Sequence, residues 1–202
     1  KNDIYYMRRA IKLAKKAEGF TSPNPLVGCL IVKKGKIIGK GYHHKAGLPH
    51  AEVIALQDVG EKAKNATMYV TLEPCTHFGR TPPCTSAVIK AGIKRFVIAM
   101  KDPNPLNNGR GITKLREKGA SVTTGVCEKE AREINRPFIK YATKGLPFVT
   151  LKIAESLDGK IATSKGESKW ISNSDSRQHV QKIRSYVDAI MVGSNTVIKD
   201  NP

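Results

Sequence analysis

One histidine and two cysteines, His50, Cys75 and Cys84, constrain the fold of this chain more than any other feature. His50-Ala51-Glu52 opens a helix-like run, Glu73-Pro74-Cys75 follows a β-branched one, and Cys84 opens a second helix-like run. Zinc favours imidazole nitrogen and thiolate sulfur, and a catalytic zinc takes three protein ligands and leaves a fourth position to water. A fold that gathers this trio sets two helix N-termini face to face beside a strand end. Their backbone N–H groups favour thiolate and other anions.

The rest of the chain fits such a fold. Asp3 reads as the cap of a first helix whose apolar face is Ile4, Met7, Ile11 and Ala14, ending at Gly19. Thr21-Ser22-Pro23-Asn24-Pro25 is an ordered turn, and Leu26 to Val32 with Lys36 to Gly41 is a hairpin across Lys33-Lys34-Gly35. After the loop 43–49, the helix opened by His50 is expected to face Val53, Ile54 and Leu56 inward. Thr67 to Leu72 and Arg95 to Met100 are strands, with Cys84 to Ile89 a helix between them. Asp102-Pro103-Asn104-Pro105 is a rigid turn directly after a strand, where open α/β folds place ligand contacts. Ile112 to Lys118 reads as helix, Val122 to Val126 as strand, and Glu128 to Thr143 as helix broken at Pro137. Strands alternating with helices imply a layered α/β domain over 1–144. Beyond the linker Lys144-Gly145-Leu146-Pro147, a second domain over 145–202 is expected. Its elements are a strand at Phe148 to Ala154, a helix at Asp175 to Ser185, and a doubly buried strand at Val187 to Val192. These segments are too few to close a core, so the expectation is the N-terminal part of a domain.

Composition excludes some classes. With 202 residues, 40% of them hydrophobic, the chain can bury one full core and part of another. No run approaches the roughly 18 to 20 apolar residues of a membrane span, and Lys1 to Tyr6 lacks the apolar stretch of a signal peptide. A soluble cytoplasmic protein without a membrane partner is the expectation, and homo-oligomer formation is compatible with it. Paired disulfides suit small secreted domains. Cys29 instead reads as core, and Cys127 shows no sequence partner. The net charge of +18 is spread along the chain without like-charge blocks or aromatic interleaving. It fits a solvated lysine-rich surface, a phosphorylated substrate or nucleic acid, and alone decides nothing.

Each part of the trio is weak by itself, since His-x-Glu pairs and widely spaced cysteines are common by chance. Together with their elements they point to metal. A structural zinc closes with four protein ligands, for which His77, His43 or His44 could serve, yet such a site has no use for Glu52. In zinc-dependent nucleobase deaminases a glutamate that is no ligand shuttles protons, which assigns Glu52 the catalytic role. His77 reads as facing substrate or shaping its loop, and His43 and His44 as solvated loop residues. Arg80 can meet a phosphate through its planar fork. Trp170, beside Ser168 and Lys169 in a polar stretch, is either core or a stacking surface for a cofactor ring.

These residues closely resemble the bifunctional riboflavin-biosynthesis deaminase/reductase family. The similarity runs nearly the whole chain: Asn24 within Pro-Asn-Pro, His50-Ala51-Glu52, Thr71-Leu72-Glu73-Pro74-Cys75, Gly79-Arg80-Thr81-Pro82-Pro83-Cys84, Asp102-Pro103-Asn104-Pro105, Ser156-Leu157-Asp158-Gly159, Trp170-Ile171 and Asp200-Asn201-Pro202. Cytidine and transfer-RNA adenosine deaminases typically carry Pro-Cys-x-x-Cys, which this sequence lacks. The resemblance implies a cytidine-deaminase-like three-layer α/β/α domain, then the start of a dihydrofolate-reductase-like domain. It implies Zn2+ and NADPH as cofactors and a small phosphorylated pyrimidine as substrate, with no nucleic-acid partner. The substrate would be 2,5-diamino-6-ribosylamino-4-pyrimidinone 5′-phosphate, deaminated first and then reduced from ribosyl to ribityl. It further implies cofactor contacts at Ala154, Trp170, Thr196 and Asp200, and substrate contacts at Ser168 and Arg184. Asn24 and Asn104 would read the ring edge or ribose, and Arg80 would hold phosphate. An RNA-acting deaminase and a zinc-stabilised binding module remain the alternatives.

Overall fold

Lys34 and Gly35 both adopt positive φ, 49° and 74°, as a two-residue hairpin turn of type I′ requires. They join β1 (Gly28–Lys33) to β2 (Lys36–Tyr42) in an antiparallel pair. The computed structural model describes residues 2–57 and 59–201, Asp200 by its backbone alone. Within it the chain divides into two compact units, 1–148 and 149–202.

The first unit is built on a five-stranded mixed sheet of order β2-β1-β3-β4-β5. β3 (Thr67–Leu72) runs antiparallel to β1, whereas β4 (Arg95–Met100) and β5 (Ser121–Thr124) run parallel to β3. The parallel strands are joined by crossover helices, α3 (Cys84–Lys90) and α4 (Arg110–Glu117), as parallel pairing demands. β3 and β4 are buried almost throughout, in keeping with a strand covered on both faces.

Two glycine positions set how closely the helices approach. A Cβ on Gly28 would lie 2.1 Å from the Ala10 carbonyl oxygen of α1 (Asn2–Ala14). On the opposite face, a Cβ on Gly41 would lie 2.3 Å from the Ala51 carbonyl oxygen of α2 (Ala51–Gln57). This close seat corrects the expected inward face of α2. Ala51, Glu52 and Ala55 are buried, while Val53, Ile54 and Leu56 are only partly so. A helix lying directly on a glycine-bearing strand has room beneath it for small side chains, so the larger ones flank the contact. Glu52 thereby sits on the buried side.

Asp3 is not a cap. Its carboxylate accepts hydrogen bonds from Arg95 at 2.7 and 3.1 Å and from the Tyr69 hydroxyl at 2.7 Å, fastening the start of α1 to β3 and β4. The helix expected over 128–143 is two, α5 (Glu128–Ile134) and α6 (Arg136–Lys144), with the break at Asn135. The buried Asn135 carboxamide accepts from Leu26 N–H at 2.8 Å and donates to Leu26 C=O at 3.0 Å, holding the entry to β1.

The second unit contains α7 (Ser174–Arg184) and α8 (Ser194–Asp200). Among its described residues there is no strand and no buried residue, so the two expected strands are absent. Met191 is 93% exposed and Leu151 80%. A β-prone run forms a strand only against a partner that takes up its backbone groups, and neither run has one here.

Candidate metal centre

Loop 43–49 leads into α2, and His50 immediately precedes the helix, its carbonyl accepting from Ile54 N–H. Cys75 follows the end of β3, and Cys84 is the first residue of α3. The three donor atoms lie within 4.8 Å of one another. His50 Nδ1 is 3.0 Å from Cys84 Sγ and 3.6 Å from Cys75 Sγ. Tetrahedral Zn–N and Zn–S bonds of about 2.0 and 2.3 Å separate ligand atoms by about 3.6 Å. The set therefore matches zinc in donor type and approximate spacing. The other imidazole nitrogen, Nε2, faces Thr81 Oγ1 at 3.3 Å, which fixes the ring orientation.

The electrostatics favour a thiolate. Cys84 N–H, at the start of α3, donates to Cys75 Sγ at 3.3 Å. The Cys75 thiol is held down at about 4, first by a hydrogen bond with the Cys84 thiol and then by His50. Cys84 is pushed up by sharing that bond and by its burial. His50 is raised, chiefly by its hydrogen bond with Cys75. Glu52 is 3% exposed, and burial pushes its carboxyl up to about 7. Such a group can both take and give a proton near neutrality.

The residues expected around the trio lie in the loops that rim it. Asn24 Nδ2 is 3.0 Å from His43 Nε2, and His43 Nδ1 is 3.2 Å from the Pro49 carbonyl. His43 is 2% exposed, with its ring 5.3 Å edge-on from that of His50, so the solvated-loop reading is corrected for it. His44 is exposed and stacks on Tyr42. Arg80 is exposed in the loop between the cysteines, its Cδ approaching Gly47. His77 lies in the same loop with Nδ1 buried. Asn104 uses its side-chain oxygen to accept from Leu106 N–H, making a local turn.

Sequence reasoning missed Glu73. Its buried carboxylate accepts four backbone N–H groups: Asp102 and Gly109 on Oε2, Gly111 and Ile112 on Oε1. The residue before Pro74-Cys75 thus holds both ends of the loop bearing Asn104. Nothing in the local sequence separates it from a solvated strand-end glutamate. Glu73→Gln turns one acceptor into a donor facing two buried N–H groups. It is expected to cost about 2–6 kcal/mol, from two unsatisfied donors at about 1–3 kcal/mol each. Urea unfolding measures this, and a change below about 0.5 kcal/mol contradicts it.

Residues 1–100 match the family described as the cytidine and deoxycytidylate deaminase zinc-binding region, and residues 147–202 match the RibD C-terminal domain. The chain is 60% identical over 200 residues to the riboflavin biosynthesis protein RibD of Aquifex aeolicus, covering 99% of this chain and 56% of that one. The chain is similar to RibD over nearly its whole length. It superposes on Acinetobacter baumannii RibD with a TM-score of 0.95 at 51% identity, covering 100% of this chain and 56% of that chain. A diaminohydroxyphosphoribosylaminopyrimidine deaminase/5-amino-6-(5-phosphoribosylamino)uracil reductase from Thermotoga maritima gives 0.94 at 48% identity, covering 100% and 58%. The chain thus spans about half the length of the RibD relatives it matches. The fold is cytidine-deaminase-like α/β, followed by the start of the RibD C-terminal domain.

In that RibD C-terminal region, Ala154 and Ser168 are partly buried in the irregular stretch before α7. Trp170 is 69% exposed, with the Arg177 guanidinium 4.4 Å over its ring. Arg184 ends α7 and Thr196 lies in the first turn of α8. The Asp200 side chain lies outside the described residues. A cavity of about 550 Å³ in this unit is lined by Ser156, Asp158, Lys160, Thr163, Glu167 and Ile171, among others, and by none of the five described candidates. No described helix is long and apolar enough to cross a membrane.

Proposed function

We propose that the first unit is a zinc-dependent deaminase of riboflavin biosynthesis acting on 2,5-diamino-6-ribosylamino-4-pyrimidinone 5′-phosphate. The carrying observation is the cluster of His50, Cys75 and Cys84 donor atoms within 4.8 Å beside a buried Glu52. His50 Nδ1, Cys75 Sγ and Cys84 Sγ would hold the metal. When bound, zinc supplies the Lewis acidity that makes water nucleophilic near neutral pH. Glu52 takes the proton of the attacking water at the amine-bearing ring carbon and returns it to the nitrogen as the C–N bond breaks and ammonia leaves. One C–O bond replaces one C–N bond, with no redox partner. Asn24 and Asn104 are assigned to the ring edge or ribose, and Arg80 to the 5′-phosphate through charge-assisted hydrogen bonds. A phosphate substrate also gives the net positive charge a use without nucleic acid.

For the second unit we assign Ala154, Trp170, Thr196 and Asp200 to NADPH and Ser168 and Arg184 to substrate, as parts of the reductase that reduces the ribosyl chain to ribityl. A reductase must enclose nicotinamide and substrate together, and no described residue of this unit is buried. The 202-residue chain is therefore expected to release ammonia from the pyrimidine phosphate and leave NADPH unoxidised when given the deaminated product. Absorbance of NADPH and an ammonia assay read the two activities separately. NADPH oxidation by this chain would overturn the reductase half of the prediction, and absent ammonia release the deaminase half.

A further inference from the structure

The fully buried Asn107 has every hydrogen-bonding valence of its carboxamide filled. Oδ1 accepts from Thr76 N–H at 3.1 Å and from the Thr76 hydroxyl at 3.0 Å. Nδ2 donates to the Pro74 carbonyl at 3.3 Å and to Asp102 Oδ2 at 3.2 Å. Pro74 and Thr76 are the residues on either side of Cys75. The contacts also fix the amide orientation, because Thr76 N–H can only donate and Pro74 C=O can only accept. Glu73 anchors the same loop at Asp102 and Gly109, and the start of α4 at Gly111 and Ile112. Cys75 lies in irregular backbone just past β3, outside any ladder or helix of its own. Beyond the direct contacts of its sulfur with Cys84 N–H and His50 and of its carbonyl with Thr85 N–H, Cys75 is therefore held through its two neighbours.

We propose that Asn107 is the positioning residue for the Cys75 thiolate, and that it ties the loop carrying Asn104 to the metal centre. This rests on the metal-centre reading above. The Asn107 side chain bonds to Thr76, Pro74 and Asp102 and to none of the three donor atoms. It acts by bracketing Cys75, as outer-shell partners do when they fix a ligand's direction. A bracketed turn also makes ligand geometry and the placement of Asn104 change together.

Two variants test it: Asn107→Asp, which keeps the shape but turns the donor toward Pro74 and Asp102 into an acceptor, and Thr76→Val, which removes only the hydroxyl. Each is compared with the unaltered 202-residue chain at a temperature where circular dichroism shows it fully folded. The readouts are zinc affinity by chelator competition, the Co(II) absorption bands that report thiolate ligation, and Thr76 amide exchange without metal. N107D is expected to bind zinc about 10–100-fold more weakly, the range for outer-shell changes, with altered Co(II) bands and faster Thr76 exchange. T76V should lose roughly threefold, the low end for one neutral hydrogen bond. A folded N107D with unchanged zinc affinity and unchanged Thr76 exchange would overturn the proposal. If N107D does not fold, wild-type zinc affinity and bands in T76V would do the same. Failure of the unaltered chain to bind zinc would defeat the metal-centre reading instead, and the metal-free exchange measurement would still decide the positional role.

Discussion

Glu52→Gln is expected to leave the fold and the zinc content intact and to lower deaminase turnover by about 100-fold or more, within the range of about 10² to 10⁴ for general acid–base catalysis. Glutamine keeps the volume of the buried side chain on the α2 face seated against Gly41, so packing is preserved. It even relieves burial of a charge, so stability should hold or rise slightly. What it cannot do is take a proton from water and return it to a departing amine. Turnover, zinc stoichiometry and thermal unfolding are measured on one preparation. Near-normal turnover with zinc retained would assign the proton transfer to another group.

Cys84→Ala is the second large effect. Cys84 is fully buried, its sulfur is 3.0 Å from His50 Nδ1, and its thiol is a hydrogen-bond partner of Cys75. Its loss leaves two of the three donors, and a two-ligand site binds zinc far more weakly. The variant should purify with little zinc. It should also unfold at lower temperature in zinc-containing buffer, because a ligand present at 1,000 times its dissociation constant stabilises by about 4 kcal/mol and the variant forfeits that linkage. Elemental analysis and thermal melts with and without zinc read both effects. Full zinc content in the variant would remove Cys84 from the ligand set.

The hairpin, β3, β4 and the helix opened by Cys84 are legible because their signals are local: the glycine-bearing turn Lys33-Lys34-Gly35, the β-branched runs, and glycine stops. The grouping of His50, Cys75 and Cys84 is legible from their chemistry, since imidazole and two thiols near a carboxylate suit few other purposes. What escaped was relational. The buried face of α2 is decided by Gly39 and Gly41 on β2, which let Ala51 and Ala55 sit where larger side chains were expected. Asp3 carries a cap-like local signal yet pairs with Arg95, distant in sequence. Glu73, Asn107 and Asn135 are ordinary polar residues until the fold supplies partners for their buried groups. His43 carries only the signal of a solvated loop residue, because its cover comes from Asn24 and the Pro49 carbonyl, which no spacing rule connects to it. The apolar run Val187 to Val192 has strand composition, but composition forms no ladder without a neighbouring strand.

The most direct measurement is ammonia release from the ribosylated diaminopyrimidinone 5′-phosphate by the purified 202-residue chain, before chelation, after zinc removal and after zinc is restored. The expected result is stoichiometric ammonia from the zinc-loaded chain, loss of at least about 99% of the rate on chelation, in keeping with the several kcal/mol a catalytic metal contributes, and recovery on adding zinc. Ammonia release that continues unchanged in the zinc-free protein, or none from the zinc-loaded protein, would contradict it.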